Sequence, residues 1–332
     1  MKQLYWLLGV LISLLILAKV ISFFLALNLP ISFKPIGPVF NWDQKSTVNL
    51  VFVSTNKTSE TEQSLVSYNP KEQKITILEI SPQTYGELPR GYGSWKIGSV
   101  YKLGQDENPP RGGVLLGQSI SKLIGLPIDG LIILKKPLKT ADLMIKIHNN
   151  KLEILSLLSA ISSDLTPLQS SRLIWNLSEV RGDKVVSLNF LESNITDSKL
   201  LPDSSRVLGV NTVKLDLFIR DNLSDGIISQ ENESIAIYNG TTHPGLTQAV
   251  SRMLTNMGAN VIFAANAQNQ LEKTQITFAK DEKSLTAARL GQIFAPNCMP
   301  DSCRSVDPKV ANSRAQINIV LGEDYYQEWY QR

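Results

Sequence analysis

Histidine and cysteine are nearly missing from this chain of 332 residues, which has two of each. With only His148 and His243, a multi-histidine metal centre is excluded. Cys298 and Cys303 have four residues between them, so they are not a redox Cys-x-x-Cys pair. A zinc site would need two further ligands, and neither histidine lies near in sequence. Outside the cytoplasm such a pair can close a small disulfide loop; two free thiols are the alternative. Strong charge of one sign is lacking too. Lys and Arg total 33 and Asp and Glu 30, a net +3 spread along the chain. That is too weak and diffuse for a nucleic-acid partner, and neither helix-turn-helix patterning nor zinc-finger spacing is present. What is present is the composition of a folded protein, 43% hydrophobic and 19% charged. The length suits one membrane segment and two soluble domains.

One long apolar run exists, Leu4 to Leu29, interrupted by Lys19. Seventeen of its residues are Leu, Ile, Val or Phe. At roughly −0.3 to −0.6 kcal/mol each they outweigh one lysine at about +3 kcal/mol, and the run is long enough to span a bilayer. A cleaved signal peptide fits less well, because the run exceeds an ordinary signal core and no small-x-small site follows. Residues 1–30 therefore read as a transmembrane signal-anchor. Lys2 before the span and Lys34 and Lys45 after it do not set its direction. A short leading tail and a large following part suit a single-pass protein of the cell membrane with its bulk extracytoplasmic.

Residues 31–45, which follow Pro30 and hold Pro35 and Pro38, read as a stalk. A layered α/β domain is expected over 46–220. VNLVFVS (48–54) has the β-branched density of a buried strand. SLVSYNPKEQKITILEI (64–80) reads as a hairpin about an Asn-Pro-Lys-Glu turn. GELPRGYGSW (86–95) reads as a loop, Ser119–Ile124 as a short helix and Leu131–Ile133 as a strand. Leu152–Ile161 and Leu168–Leu177 have amphipathic helical spacing, and VVSLNF (185–190) is a strand candidate. The polar stretch 221–233 reads as a linker. Beyond it, over 234–323, strand, helix, strand, strand, helix and strand follow one another. That order predicts a small βαββαβ, ferredoxin-like domain, with 324–332 as a tail.

The blocks STVNLVFVS, SLVSYNP, KITILEISPQTY, WKIGSVY and GGVLLGQSISKLIGLPIDGLIIL, between residues 46 and 134, resemble the catalytic domain of the LytR-CpsA-Psr family of membrane-anchored bacterial envelope proteins. The stretch IAIYNGTTHPGLTQAVSRMLTNMGANVIFAANA (235–267) resembles the LytR C-terminal domain often appended to it. The resemblance implies transfer of an anionic glycopolymer from a polyprenyl-pyrophosphate carrier to peptidoglycan. Such chemistry needs cations to neutralise phosphate, and carboxylates to hold a metal or take a proton. The family's Arg-x-Asp pattern falls here on Ser59, Glu60 and Thr61. Its Pro-Arg-Asp-Thr pattern falls on Ser81, Pro82, Gln83 and Thr84, or on Pro82, Gln83 and Thr84. Neither alignment supplies an arginine or an aspartate. The family's later arginines are also missing, since residues 140–175 hold only Arg172.

What survives is the frame: Lys96, Gly112, Gly113, Gly125 and Asp129. Arg90, Lys96, Lys102 and Arg111 are the candidate phosphate or polyprenyl ligands, with ordinary solvated loop charge as the alternative. Glu60, Glu62, Glu79, Asp106 and Glu107 replace the lost carboxylates only if they converge. No catalytic residue is assigned and no metal or cofactor is implied, Mg2+ entering only if transfer persists. The expectation is a degenerate, non-catalytic binding or scaffold protein of glycopolymer assembly, a pseudoenzyme, with active transferase as the alternative. Its expected partners are membrane lipid, a polyprenyl-phosphate-linked glycan or peptidoglycan, and a protein partner of the C-terminal domain.

Overall fold

A computed structural model describes residues 5–6, 9, 13–15, 17–19, 42–55, 61–134, 139–149, 161–191, 194–202, 204–278, 284–294 and 307–331. The expected anchor falls mostly outside them, and among the described residues no helix is long and apolar enough to cross a membrane. The pairing of Cys298 with Cys303 also lies outside the described residues, as does the helix expected over 152–161 except for Ile161, which is in a strand.

The first domain runs Val48–Ser54 (β1), Glu62–Asn69 (β2), Lys74–Ile80 (β3), Tyr85–Glu87 (β4), Ser94–Lys96 (β5), Ile97–Gln105 (α1), Gly112–Ile124 (α2) and Gly130–Leu134 (β6). It continues with Thr140–Asn149 (α3), Ile161–Ser163 (β7), Pro167–Glu179 (α4), Val185–Asn189 (β8), Thr196–Leu200 (β9) and Arg206–Val210 (β10). Six strands form one mixed sheet in the order β7-β6-β1-β2-β3-β8. β1 is buried at all seven positions, because helices cover both faces of the sheet. Val51, Val53, Leu65 and Leu78 face α1 and α2, packing with Val100, Leu115 and Ile120. Leu50, Phe52, Val66 and Ile77 face α3 and α4, packing with Leu143, Leu173 and Leu177. Trp42, at the end of the expected stalk, belongs to this second cluster and meets Tyr68 edge-on. The loop expected over 86–95 carries β4 and β5 as a small hairpin.

The polar stretch read as a linker is helical instead: Thr212–Leu223 (α5) and Gly226–Glu231 (α6). Its Asn and Asp residues act as caps rather than loop formers. Asn211 accepts from Lys214 N, and buried Asp225 accepts from Ile227 N and Ile228 N. The second carboxylate oxygen of Asp225 accepts from Thr47 N at 2.8 Å, joining this segment to the head of β1.

The C-terminal part contains Ser234–Asn239 (β11), Leu246–Asn256 (α7), Asn260–Asn266 (β12), Gln275–Phe278 (β13), Leu285–Phe294 (α8), Pro308–Ala311 (α9), Ile317–Leu321 (β14) and Glu323–Tyr326 (α10). The element order is as expected, but the topology is not ferredoxin-like. The sheet order is β12-β11-β14-β13, and β11 lies parallel to both β12 and β14. A split βαβ would place another strand between β11 and β12. Burial explains the outcome. INIVL of β14 is buried at every position and takes an inner place, whereas QITF of β13 is mostly half-buried and takes an edge. One apolar core runs from the first sheet through α2 and α5 into α7, α8 and β11.

Gly125 ends α2 with φ +69 and sits against the second domain. A Cβ there would lie 2.7 Å from Asn256 Nδ2 and 3.1 Å from Arg252 Cζ. Both the left-handed backbone and the contact demand glycine. Gly125→Ala is expected to cost about 2–3 kcal/mol in chemical denaturation; a loss under about 0.5 kcal/mol would mean that the seam yields freely.

Candidate functional site

Of the four predicted basic residues, two come together. Arg90 lies in the β4–β5 turn with φ +61, a strained geometry for a non-glycine residue. Its Nε donates to Gln118 Oε1 at 3.1 Å and its Nη1 to Glu107 Oε2 at 3.4 Å. The Tyr92 hydroxyl donates to the other Glu107 oxygen at 2.7 Å. The Arg90 side chain is only 7% exposed. Burial draws this guanidinium below the usual arginine range, with Glu107 opposing the shift and neighbouring Arg111 adding to it. Its Nη2 is buried without a hydrogen-bond partner among the described residues. Arg111 heads α2, half-buried. Lys96 faces Tyr85 across the hairpin, and Lys102 is exposed in the last turn of α1. Of the five acids, Glu107 joins Arg90, Glu62 and Asp106 are exposed, Glu79 is half-buried on β3, and Glu60 is outside the described residues.

The positions matching the family's charged patterns are neutral except for Glu60, and of those described Thr61 and Thr84 are buried. Thr61 is 1% exposed, and its Oγ1 donates to Gly98 O at 3.1 Å. The Pro82 carbonyl accepts from Gly98 N at 3.0 Å. A Cβ on Gly98 would stand 2.6 Å from Pro82 Cβ, so the approach requires glycine. Leu208 N of β10 donates to Gln83 O at 3.1 Å, and Thr84 is fully buried. The segment 81–84 is thus bonded to α1 on one side and to β10 on the other.

Two arginines that sequence reasoning passed over hold the domains together. Arg289 of α8 is 1% exposed and donates from Nη2 to Asp129 Oδ2 at 2.8 Å. The same oxygen accepts from Asn49 N at 2.8 Å. Burial would lower the Arg289 pKa, but Asp129, Asp225 and Asp43 outweigh it and hold the guanidinium charged. Asp129, the framework aspartate of GLPIDG, is therefore an inter-domain partner. A signal was available: Thr286, Arg289, Leu290 and Ile293 follow the spacing of an inward helix face. Arg252 of α7 clasps Asp216 of α5, with Nη2 to Oδ1 at 2.7 Å and Nε to both oxygens at 2.9 Å. It also donates to the Lys122 and Leu123 carbonyls at 2.8 Å each, while Asn256 Nδ2 donates to Ile124 O at 3.1 Å. These are the unpaired carbonyls at the end of α2, where a cation also meets the negative end of the helix dipole.

Asp164 lies within electrostatic reach of Asp129 and accepts from Leu131 N at 2.7 Å. Burial pushes its carboxyl up to about 6, against the pull of that N–H. The folded value exceeds the unfolded one, so this stabilising contribution is present below the ordinary carboxylate range and is lost as pH rises through about 6. Asp164→Asn keeps an acceptor for Leu131 N and removes the charge. We expect it to raise stability by about 1–3 kcal/mol near neutral pH, with little change at acid pH. Equal gains at both pH values, measured by urea midpoints, would contradict this.

A cleft of about 480 Å³ opens between α2, α7 and the last turn of the chain, with Tyr85, Lys122, Gln248, Arg252, Trp329 and Tyr330 among its walls. The residues read as a tail form this wall. Gln118 Nε2 donates to Glu328 O at 2.8 Å, and Tyr325 is buried. His243, read as part of a helix entry, stacks on Tyr326 with centroids 3.3 Å apart, and its Nε2 lies 3.1 Å from Glu323 Oε1. Among the described residues no group of three or more His, Cys, Asp or Glu is placed to hold a metal ion.

Residues 233–325 match the family described as LytR cell envelope-related transcriptional attenuator, so the second half of the chain carries a LytR C-terminal domain. No curated protein matches the chain. Solved structures similar to it include TagT of B. subtilis, 14% identical with a TM-score of 0.38, covering 54% of this chain and 90% of that one. TagV of B. subtilis is 11% identical with a TM-score of 0.42, covering 65% and 99%. The LytR-CPS2A-psr family protein YwtF (TagT) with bound octaprenyl pyrophosphate lipid is 13% identical with a TM-score of 0.38, covering 53% and 89%. The match over residues 233–325 bears out the LytR C-terminal resemblance read from the sequence.

Proposed function

We propose that this chain is an extracytoplasmic protein of the bacterial cell envelope, anchored in the cell membrane by residues 1–30, that binds a lipid-linked glycan or scaffolds glycopolymer assembly without catalysing transfer. The observation that carries the proposal is the neutral segment at residues 81–84, bonded through its backbone to α1 and β10, where the family pattern calls for an arginine and an aspartate. Loss of one preorganised charged group from such a site costs about 10²–10³ in rate, and here more than one is replaced. The binding half of the proposal draws on Arg90 and Arg111, with Lys96 and Lys102 on the adjoining β5 and α1. Such cations suit a phosphate oxygen. The lipid named for YwtF, octaprenyl pyrophosphate, supplies the probe.

The full chain in detergent is expected to bind a polyprenyl pyrophosphate, more weakly in Lys96→Ala and Arg111→Ala, and to transfer no glycopolymer to peptidoglycan with or without magnesium. Turnover above that of a boiled control would overturn the non-catalytic assignment. Absent binding would move the search to protein partners of residues 234–323. The grouping of Arg90, Arg111 and Glu107 favours the second reading, an active transferase whose charges have moved. In that case Glu107 would be the carboxylate available to magnesium, which would supply neutralisation of phosphate charge.

A further inference from the structure

We propose that the cleft between the two domains is a binding site for an uncharged saccharide of one or two rings. This deepens the reading of the chain as an envelope binding protein and rests on it, but it concerns a different place from Arg90 and Arg111.

The cleft holds two cations, and both are already matched. Lys122 Nζ lies 3.2 Å from Glu87 Oε1, and Arg252 is clasped by Asp216 at 2.7 Å. The Arg252 donors are further committed to the carbonyls closing α2. A phosphate entering the cleft would have to break one of these pairs, whereas a neutral ligand leaves them intact. Shape and surface come next. Tyr85, Trp329 and Tyr330 supply half-buried aromatic walls. Tyr330 is held in place by stacking on Tyr326, with centroids 5.4 Å apart. Trp329 packs against buried Tyr325 at 5.9 Å. Such walls suit the flat C–H face of a sugar ring. At the rim, Gln248 and Thr212 are exposed. An amide and a hydroxyl each both donate and accept, as recognition of sugar hydroxyls requires. The volume of about 480 Å³ falls within the range of small-ligand sites. The aromatic wall belongs to the last turn of the chain and is pinned to α2 by the Gln118–Glu328 hydrogen bond, so both domains are needed to form the site.

The test is calorimetry on the full chain in a polyoxyethylene detergent, which carries no sugar headgroup. The probes are diacetylchitobiose, cellobiose and maltose, with inorganic pyrophosphate as the charged control. At least one disaccharide is expected to bind at a single site. Trp329→Ala is expected to weaken it at least about tenfold. Gln248→Ala, an exposed substitution that leaves the core alone, is expected to weaken it without moving the thermal midpoint. Trp175→Ala, at an exposed position on α4, is expected to change nothing. The proposal is overturned if no disaccharide binds up to roughly 10 mM, if binding survives both Trp329→Ala and Gln248→Ala, or if pyrophosphate displaces the sugar. Failure here together with retained polyprenyl pyrophosphate binding would leave the preceding proposal standing, and the reverse result would remove that one alone.

Discussion

Replacing Arg289 with methionine is expected to cost the folded chain about 3–5 kcal/mol, the largest effect of any single substitution at the seam. The guanidinium is 1% exposed, reaches Asp129 at 2.8 Å, and lies close enough to Asp225 and Asp43 to be held charged by them. Removing it leaves Asp129, itself 5% exposed, as a buried carboxylate whose remaining partner is the Asn49 N–H. Leaving a charge buried and unmatched costs far more than the pair itself contributes. Arg289→Met combined with Asp129→Leu should therefore recover most of the loss. The pH dependence follows with a definite sign. Burial already pushes the Asp129 carboxyl up, with Arg289 opposing. Without Arg289 the rise is larger, so the variant is least destabilised at acid pH and loses stability as pH rises through the raised value. Urea unfolding at several pH values measures both effects. A single-variant loss below about 1 kcal/mol, or a double variant no better than the single, would show that the pair does not hold the seam.

Arg252→Lys is expected to cost about 2–3 kcal/mol, and Arg252→Ala only slightly more. The near-equality is the informative part. Arg252 satisfies Asp216 and two helix-end carbonyls with one planar group. A lysine ammonium keeps the charge but cannot reach a carboxylate and two carbonyls in three directions at once. If lysine instead restored native stability, charge at the negative end of α2 would be the whole effect, and the fork geometry would be incidental. Thermal denaturation of the two variants beside Asp216→Asn separates these outcomes.

Much of the fold was legible in the sequence wherever apolar periodicity was undiluted. VNLVFVS, KITILEI and GLIIL became the centre of the first sheet, and SIAIYN and INIVL the centre of the second. Polar stretches were harder, because an Asp or Asn marks a loop and a helix cap equally well. Asn211 and Asp225 resolve as caps only once Lys214 N and the Ile227 and Ile228 amides are seen beside them. Strand order was misread for a related reason. Element sequence specifies which segments are strands, while the competition of INIVL with QITF for the interior decides who pairs with whom. At the site, sequence singled out Arg90 and Arg111, which lie within electrostatic reach of each other, alongside Lys96 and Lys102 on β5 and α1. Arg252 and Arg289 were passed over because their partners Asp216 and Asp129 are 36 and 160 positions away. No local pattern encodes such a separation. The walls of the cleft were missed as well, since YYQEWYQ at the end of the chain reads as a polar tail until Gln118 is seen to hold it.

The continuous core bears on how this gene can be cut and recombined. A fragment stopping at residue 233 would part Ile120, Ile124 and Leu223 from Val250, Leu254 and Leu290, which share one core with them. Each half would present a sticky apolar face to its neighbours in solution. The C-terminal domain in this chain is therefore less a detachable module than a second shell grown onto the first, and any shuffling of it onto another protein would have to carry α2 and α5 along.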